Sequence, residues 1–165
     1  MSRIIAGRAG GQRLTTPPGR LTRPTTDRVR EGVFSALAAW NGTANEVPEV
    51  QLAGQAFCDL FAGSGAVALE AASRGATTVV AVDRDCCACN VMKDNSRTTR
   101  LRIEVSSQTV TAFLAQNHRV FDVVWFDPPY DLAADDMDSL ILTACDGALA
   151  LSLIHISEPT RRYAI

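Results

Sequence analysis

No apolar run in this chain approaches the roughly 20 residues that a membrane-spanning helix needs, so no span is expected. The start does not read as a secretory leader either, because Arg3, Arg8 and Arg13 interrupt any apolar core. The five cysteines, Cys58, Cys86, Cys87, Cys89 and Cys145, are odd in number and lack framework spacing. That favours free thiols in a reducing cytoplasm over a disulfide scaffold. Cys86 and Cys89 form a C-x-x-C, but there is no second pair and no nearby histidine, so helix packing is expected there and a metal is not. The dinucleotide fingerprint G-x-G-x-x-G is missing too. Carboxylates are scarce at the start: residues 1–30 hold Asp27 alone against Arg3, Arg8, Arg13, Arg20, Arg23, Arg28 and Arg30. The chain has 16 basic and 18 acidic side chains, so nine basic and seventeen acidic ones remain for the rest. A basic arm on an acidic body points to a polyanion gripped at one end, with a merely solvated arm as the alternative.

What is present suits one domain. The 165 residues are 47% hydrophobic and 21% charged, ordinary values for a globular fold. Residues 3–7 and 12–14 flank Gly10-Gly11 and predict a small hairpin. Residues 15–26, with three of the seven prolines, predict an extended connector. Thr26 or Asp27 then caps a helix whose apolar face is expected to be Val29, Val33, Leu37 and Trp40, with Arg28, Arg30 and Glu31 off that stripe. Residues 41–50 read as a polar loop.

Beyond the loop, strands and helices alternate. Strands are predicted over 56–61, 78–82, 101–105 and 121–126, and helices from Gly65 to near Gly75 and over 85–96, 109–116 and 133–145. Such alternation implies an α/β fold, a mostly parallel sheet with helices on both faces.

Two stretches carry chemistry. The turn Phe61-Ala62-Gly63-Ser64-Gly65 follows the first sheet strand, where glycines let backbone approach a ligand and a helix start offers free N–H groups. Asp83, about 20 residues on at the end of the second strand, can hold ribose hydroxyls. Asp59, just before the turn, can neutralise a cationic ligand such as a sulfonium. The second stretch, Asp127-Pro128-Pro129-Tyr130, ends the fourth strand and suits a planar amine. Asp127 can accept one N–H and the Pro128 carbonyl the other, with Pro129 stiffening the backbone that aims it. Tyr130 can stack on a base, and catalysis there would be mostly positioning and polarisation. A strand ending in a Pro-Pro turn beside a surface Tyr is the plainer alternative.

Three stretches together resemble one family: residues 23–31, Arg23-Pro24-Thr25-Thr26-Asp27-Arg28-Val29-Arg30-Glu31; residues 59–65 with Leu69-Glu70-Ala71 and Ser73-Arg74-Gly75-Ala76; and residues 127–130. Over residues 3 to about 150 the chain resembles the bacterial RsmD-type 16S rRNA (guanine-N2)-methyltransferases. The resemblance implies a class I, Rossmann-like methyltransferase domain over 27–150, preceded by an RNA-binding hairpin and connector over 1–26. It implies S-adenosyl-L-methionine as donor and, as acceptor, a flipped guanine of 16S rRNA, naked or in an assembling small subunit. Cofactor contacts are expected from Asp59, Phe61, Ala62, Gly63, Ser64, Gly65, Asp83, Arg84, Gln108 and Thr109. Catalytic positions are Asp127, Pro128, Pro129 and Tyr130, and RNA contacts Arg3, Arg8, Arg13, Arg23, Thr25, Thr26, Arg28 and Arg30. A cytoplasmic monomer is expected.

The family usually has Asp or Asn where Thr109 stands beside Gln108, and the loop over 41–54 is longer than usual. Residues 151–161 read as a translated sequencing adapter standing where a fifth strand and two more would follow; on that reading 151–165 is an artefactual tail and the fourth strand becomes a sheet edge. Two other functions remain open: an amino-methyltransferase acting on DNA adenine or cytosine or on another RNA, and a non-catalytic RNA-binding assembly module.

Overall fold

The computed structural model describes residues 2–18, 26–128, 132–147 and 154–156. Two short strands, β1 (Ser2–Arg3) and β2 (Arg13–Leu14), pair antiparallel as the expected hairpin. Then follow α1 (Asp27–Trp40), a 3-10 turn over Pro48–Val50, β3 (Ala56–Leu60), α2 (Ala66–Ser73), β4 (Thr78–Asp83), α3 (Cys86–Thr99), β5 (Glu104–Ser107), α4 (Val110–Gln116), β6 (Val123–Phe126), α5 (Ala134–Gly147) and β7 (Ile154–Ile156). The main sheet is parallel, in the order β5-β4-β3-β6-β7. The chain winds outward from β3 through β4 to β5, then returns to lay β6 on the other side of β3. The crevice above β3 is therefore a topological switch point, where open α/β sheets bind ligands.

β3, β4 and β6 are apolar on both sides, as strands covered on two faces must be. Phe57, Val79, Ala81, Val123 and Trp125 pack on one face with Leu69 and Ala72 of α2, Met92 of α3, Phe34 and Leu37 of α1, and Ile4 and Leu14 of the hairpin. Cys58, Leu60, Val80, Val82, Val124 and Phe126 pack on the other face with Val110, Phe113 and Leu114 of α4 and Ala144 of α5. Each large apolar side chain so buried stabilises the fold by about 1.5–3 kcal/mol.

Three expectations are corrected. The buried face of α1 is Arg30, Phe34, Leu37 and Ala38, while Val29 and Trp40 are both 44% exposed. An arginine thus stands where an apolar residue would ordinarily mark the stripe, and it does so because partners await it. Its Nη2 donates to the Arg3 carbonyl at 2.8 Å and to Asp27 Oδ1 at 2.6 Å, tying α1 to β1. Second, β5 begins at Glu104 rather than Leu101. α3 runs on to Thr99, whose hydroxyl donates to the Asn95 carbonyl one turn back, and it ends at Arg100 in left-handed conformation. Third, β6 is no edge, because β7 pairs parallel with it through Val124↔Ile154 and Phe126↔Ile156.

The hairpin is docked firmly on α2. The Glu70 carboxylate, fully buried, accepts from the Ile5 N–H at 2.7 Å, the Ala6 N–H at 3.1 Å and Arg74 Nε at 2.7 Å. Ser73 donates its hydroxyl to the Ala6 carbonyl and accepts from the Ala9 N–H. Gly7 passes so close that a Cβ there would lie 2.1 Å from the Ser73 carbonyl oxygen.

Candidate active site

Alternation along a strand sends every second side chain to one face. In register, Phe57 stands beside Val79 and Val123, and Asp59 beside Ala81 and Trp125. Asp59, Asp83 and Asp127 share the parity of those residues, so the alternation directs three carboxylates toward the α2 and α3 side of the sheet at its C-terminal edge. Asp59 and Asp83 are buried and Asp127 is half-buried. Burial pushes the Asp59 carboxyl well above the usual carboxylate range, and the neighbouring Asp127 charge adds to it. The Ala68 N–H, donating to Asp59 Oδ2 at 3.1 Å, opposes the rise, and Asp83 adds a smaller upward push. A cation seated among these groups would pull the Asp59 carboxyl back down toward the usual range.

The turn after β3 brings bare backbone to the same place. Phe61 has φ +67°, Gly63 +56° and Gly65 +77°. Glycine takes that region freely, whereas Phe61 holds it at a cost of about 1–3 kcal/mol, and strain of this kind collects at ligand sites. The Phe61 ring lies 6.5 Å from that of Phe126. A Cβ on Gly65 would lie 2.8 Å from Met92 Cγ, so the α2 start fits closely over α3. Asp83 holds the loop in place: its Oδ2 accepts from the Gly63 N–H at 2.8 Å and its Oδ1 from the Asp85 N–H at 2.9 Å.

Other expected site residues are placed less uniformly. Ala62 and Ser64 are half-buried in the turn, and Arg84 is exposed just past β4. Gln108 Nε2 donates to the Ser106 hydroxyl at 2.9 Å. Thr109 caps α4, its hydroxyl oxygen accepting from the Ala112 N–H at 3.2 Å, so its acceptor serves the helix. Pro128 is half-buried, while Pro129 and Tyr130 lie outside the described residues, as do Arg23 and Thr25. Thr26 caps α1 through the Val29 N–H. Arg8, Arg13 and Arg28 are exposed, with Arg8 Nη2 donating to the Ala72 carbonyl. Arg3, 63% exposed, pairs with Asp27. Burial disfavours ionised Asp27, but the Arg30 and Arg3 guanidiniums outweigh it and hold the carboxyl below the usual range. Arg30 is 1% exposed and committed to Asp27 and backbone, which corrects its assignment to RNA.

All five cysteines are free. Among the described residues, Asp85, Cys86 and Cys87 hold potential ligand atoms within 4.8 Å of one another at the start of α3, where Asp85 caps the helix by accepting from the Cys87 N–H. Cys89 is buried, its thiol donating to the Asp83 carbonyl. Sequence reasoning gave no separate role to Glu70, Ser73 or Asn95. The first two lay inside a stretch that carried the family resemblance, whereas Asn95 sits in a polar helix with nothing to mark it.

The family model described as "Conserved hypothetical protein 95" matches residues 2–156. The ribosomal RNA small subunit methyltransferase D of Escherichia coli is 36% identical over 129 residues, covering 78% of this chain and 60% of its own length. Its namesake in Haemophilus influenzae is 37% identical over 134 residues, covering 78% and 63%. The chain thus spans less than two thirds of these relatives. Among solved structures, the candidate methyltransferase yhhF of Escherichia coli superposes with a TM-score of 0.77 at 30% identity, covering 94% of this chain and 78% of that one. A Thermus hypothetical protein does so with a TM-score of 0.76 at 31% identity, covering 90% and 80%. The architecture is that of the class I methyltransferases.

Proposed function

The chain belongs to the conserved hypothetical protein 95 family, and from that premise we propose that it methylates the exocyclic N2 of a guanine in small-subunit rRNA, with S-adenosyl-L-methionine as donor. One observation carries the reading: three carboxylates converge at the switch point beside a left-handed glycine turn, and burial and the Asp127 charge both disfavour the ionised form of Asp59. A nucleoside bearing a sulfonium and an ammonium suits that donor set better than an anion does. When bound, the cofactor supplies an electrophilic methyl group. Asp59 offsets positive charge, Asp83 accepts from ribose, and the Gly63 and Gly65 backbone allows close approach. Gln108 and Thr109, at the start of α4, would border the cofactor's base.

Asp127 and the Pro128 carbonyl accept the two N–H groups of the guanine amine and aim its lone pair. Pro129 stiffens that backbone, and Tyr130 stacks on the flipped base. Arg3, Arg8, Arg13 and Arg28 supply phosphate contacts, and Arg23 and Thr25 of the connector sequence are assigned the same role. The relatives named after rRNA methylation support this substrate. Among the described residues no helix is long and apolar enough to cross a membrane; the reading places the enzyme with ribosomal precursors in the cytoplasm.

The test incubates this chain with 16S rRNA from a strain lacking the modification and digests the product to nucleosides. N2-methylguanosine is expected, reduced at least about a hundredfold by Asp127→Ala, with the melting temperature unchanged. Methylation of adenine or cytosine instead, or full turnover in Asp127→Ala, overturns the reading.

A further inference from the structure

Asn95 lies on α3 and is 3% exposed, yet its amide makes three hydrogen bonds to two distant segments. Its Oδ1 accepts from the Thr15 N–H at 2.9 Å and its Nδ2 donates to the Thr15 carbonyl at 2.9 Å. The second Nδ2 hydrogen goes to the Ser64 carbonyl at 3.0 Å. The side chain thus pairs with Thr15 as one peptide group pairs with another, and the same planar group grips the turn after β3. Thr15 is the first residue past the hairpin; Ser64 sits between Gly63 and Gly65. The amide has used both donors, so neither segment can shift without tilting the plane that holds the other.

We propose that Asn95 is a positioning residue that couples the ligand turn to the base of the N-terminal arm, so that cofactor loading at residues 63–65 fixes the arm's exit at residues 15–16. The proposal rests on the cofactor reading above. Such coupling is reciprocal: RNA held by the arm would tighten cofactor binding by the same factor. One hydrogen bond is the limit of what the Ser64 contact can transmit, which sets the factor at about five to tenfold.

The test measures amide hydrogen exchange over residues 13–16 with and without saturating S-adenosylhomocysteine, whose affinity is fixed first by calorimetry. In the wild-type chain the ligand is expected to slow exchange there about five to tenfold. Asn95→Asp keeps the shape and the acceptor but replaces both donors with a second oxygen facing two carbonyls; it should still bind ligand while residues 13–16 stop responding. Thr15→Pro removes the N–H on the other side of the joint and should blunt the response with Asn95 intact, which provides a second route if Asn95→Asp does not fold. Ligand binding with the same response in both variants, or with no response in the wild type, overturns the coupling and leaves the cofactor site standing. No binding of S-adenosylhomocysteine to the wild type overturns both.

Discussion

Glu70 of α2 and Asp59 of β3 are buried alike, yet their surroundings differ in kind. Glu70 meets a guanidinium and two backbone N–H groups. Asp59 meets one backbone N–H and two further carboxylates. The first arrangement pairs opposite charges; the second sets like charges side by side. Burial alone therefore says little about role, whereas the balance of charge around a buried group separates an anchor from a ligand site.

The largest effect should come from the anchor. Glu70→Ala leaves Arg74 buried without its carboxylate and two N–H groups unpaired, which should cost about 3–5 kcal/mol in urea unfolding. A loss under about 1 kcal/mol would mean that Glu70 is no better balanced than Asp59. In the second arrangement, Asp83→Ala releases the Gly63 turn and removes a ribose acceptor. It should weaken S-adenosylhomocysteine by about 1–3 kcal/mol in calorimetry while shifting the urea midpoint less than Glu70→Ala does. Equal losses of stability in the two variants would erase the distinction between the two arrangements.

The smallest effect concerns pH. Because Asp59 keeps its proton to a higher pH when folded than when unfolded, the folded state binds more protons in that window. Its contribution to stability is therefore present at low pH and lost as pH rises through the folded value. Asp59→Asn keeps the acceptor for the Ala68 N–H and removes the like-charge contact. Unfolding free energies measured from pH 4 upward should fall less steeply in the variant than in the wild type. An identical slope would show that Asp59 is not the group that titrates.

The strands, the order of elements and the glycine turn after β3 were legible because they rest on local signals: apolar runs, glycines, and carboxylates at strand ends. Asp59, Asp83 and Asp127 could each be picked out at a strand end, but the register that brings them together pairs strands 22 and 66 positions apart and is no local signal. What was not legible depends on distant partners. Arg30 read as a surface cation because only the fold brings the Arg3 carbonyl to it. Glu70 lies 65 positions from the Ile5 N–H that it accepts, and no periodicity along α2 reports that contact. The fifth strand was discounted on the character of its residues, although backbone pairing with β6 asks little of side-chain identity.

The docking of the hairpin also sets an order in time. A two-stranded hairpin is marginal by itself in water, and this one borrows its stability from α2 and α3. Thr15 emerges from the ribosome 80 residues ahead of the Asn95 that clamps it. At about 5–20 residues per second, that is a wait of roughly 4–16 s. During that interval the Thr15 clamp cannot form, whereas the hairpin's bonds to Glu70 and Ser73 can close once α2 has been made, so the arm is fixed in two steps, first at Ile5 to Ala9 and then at Thr15.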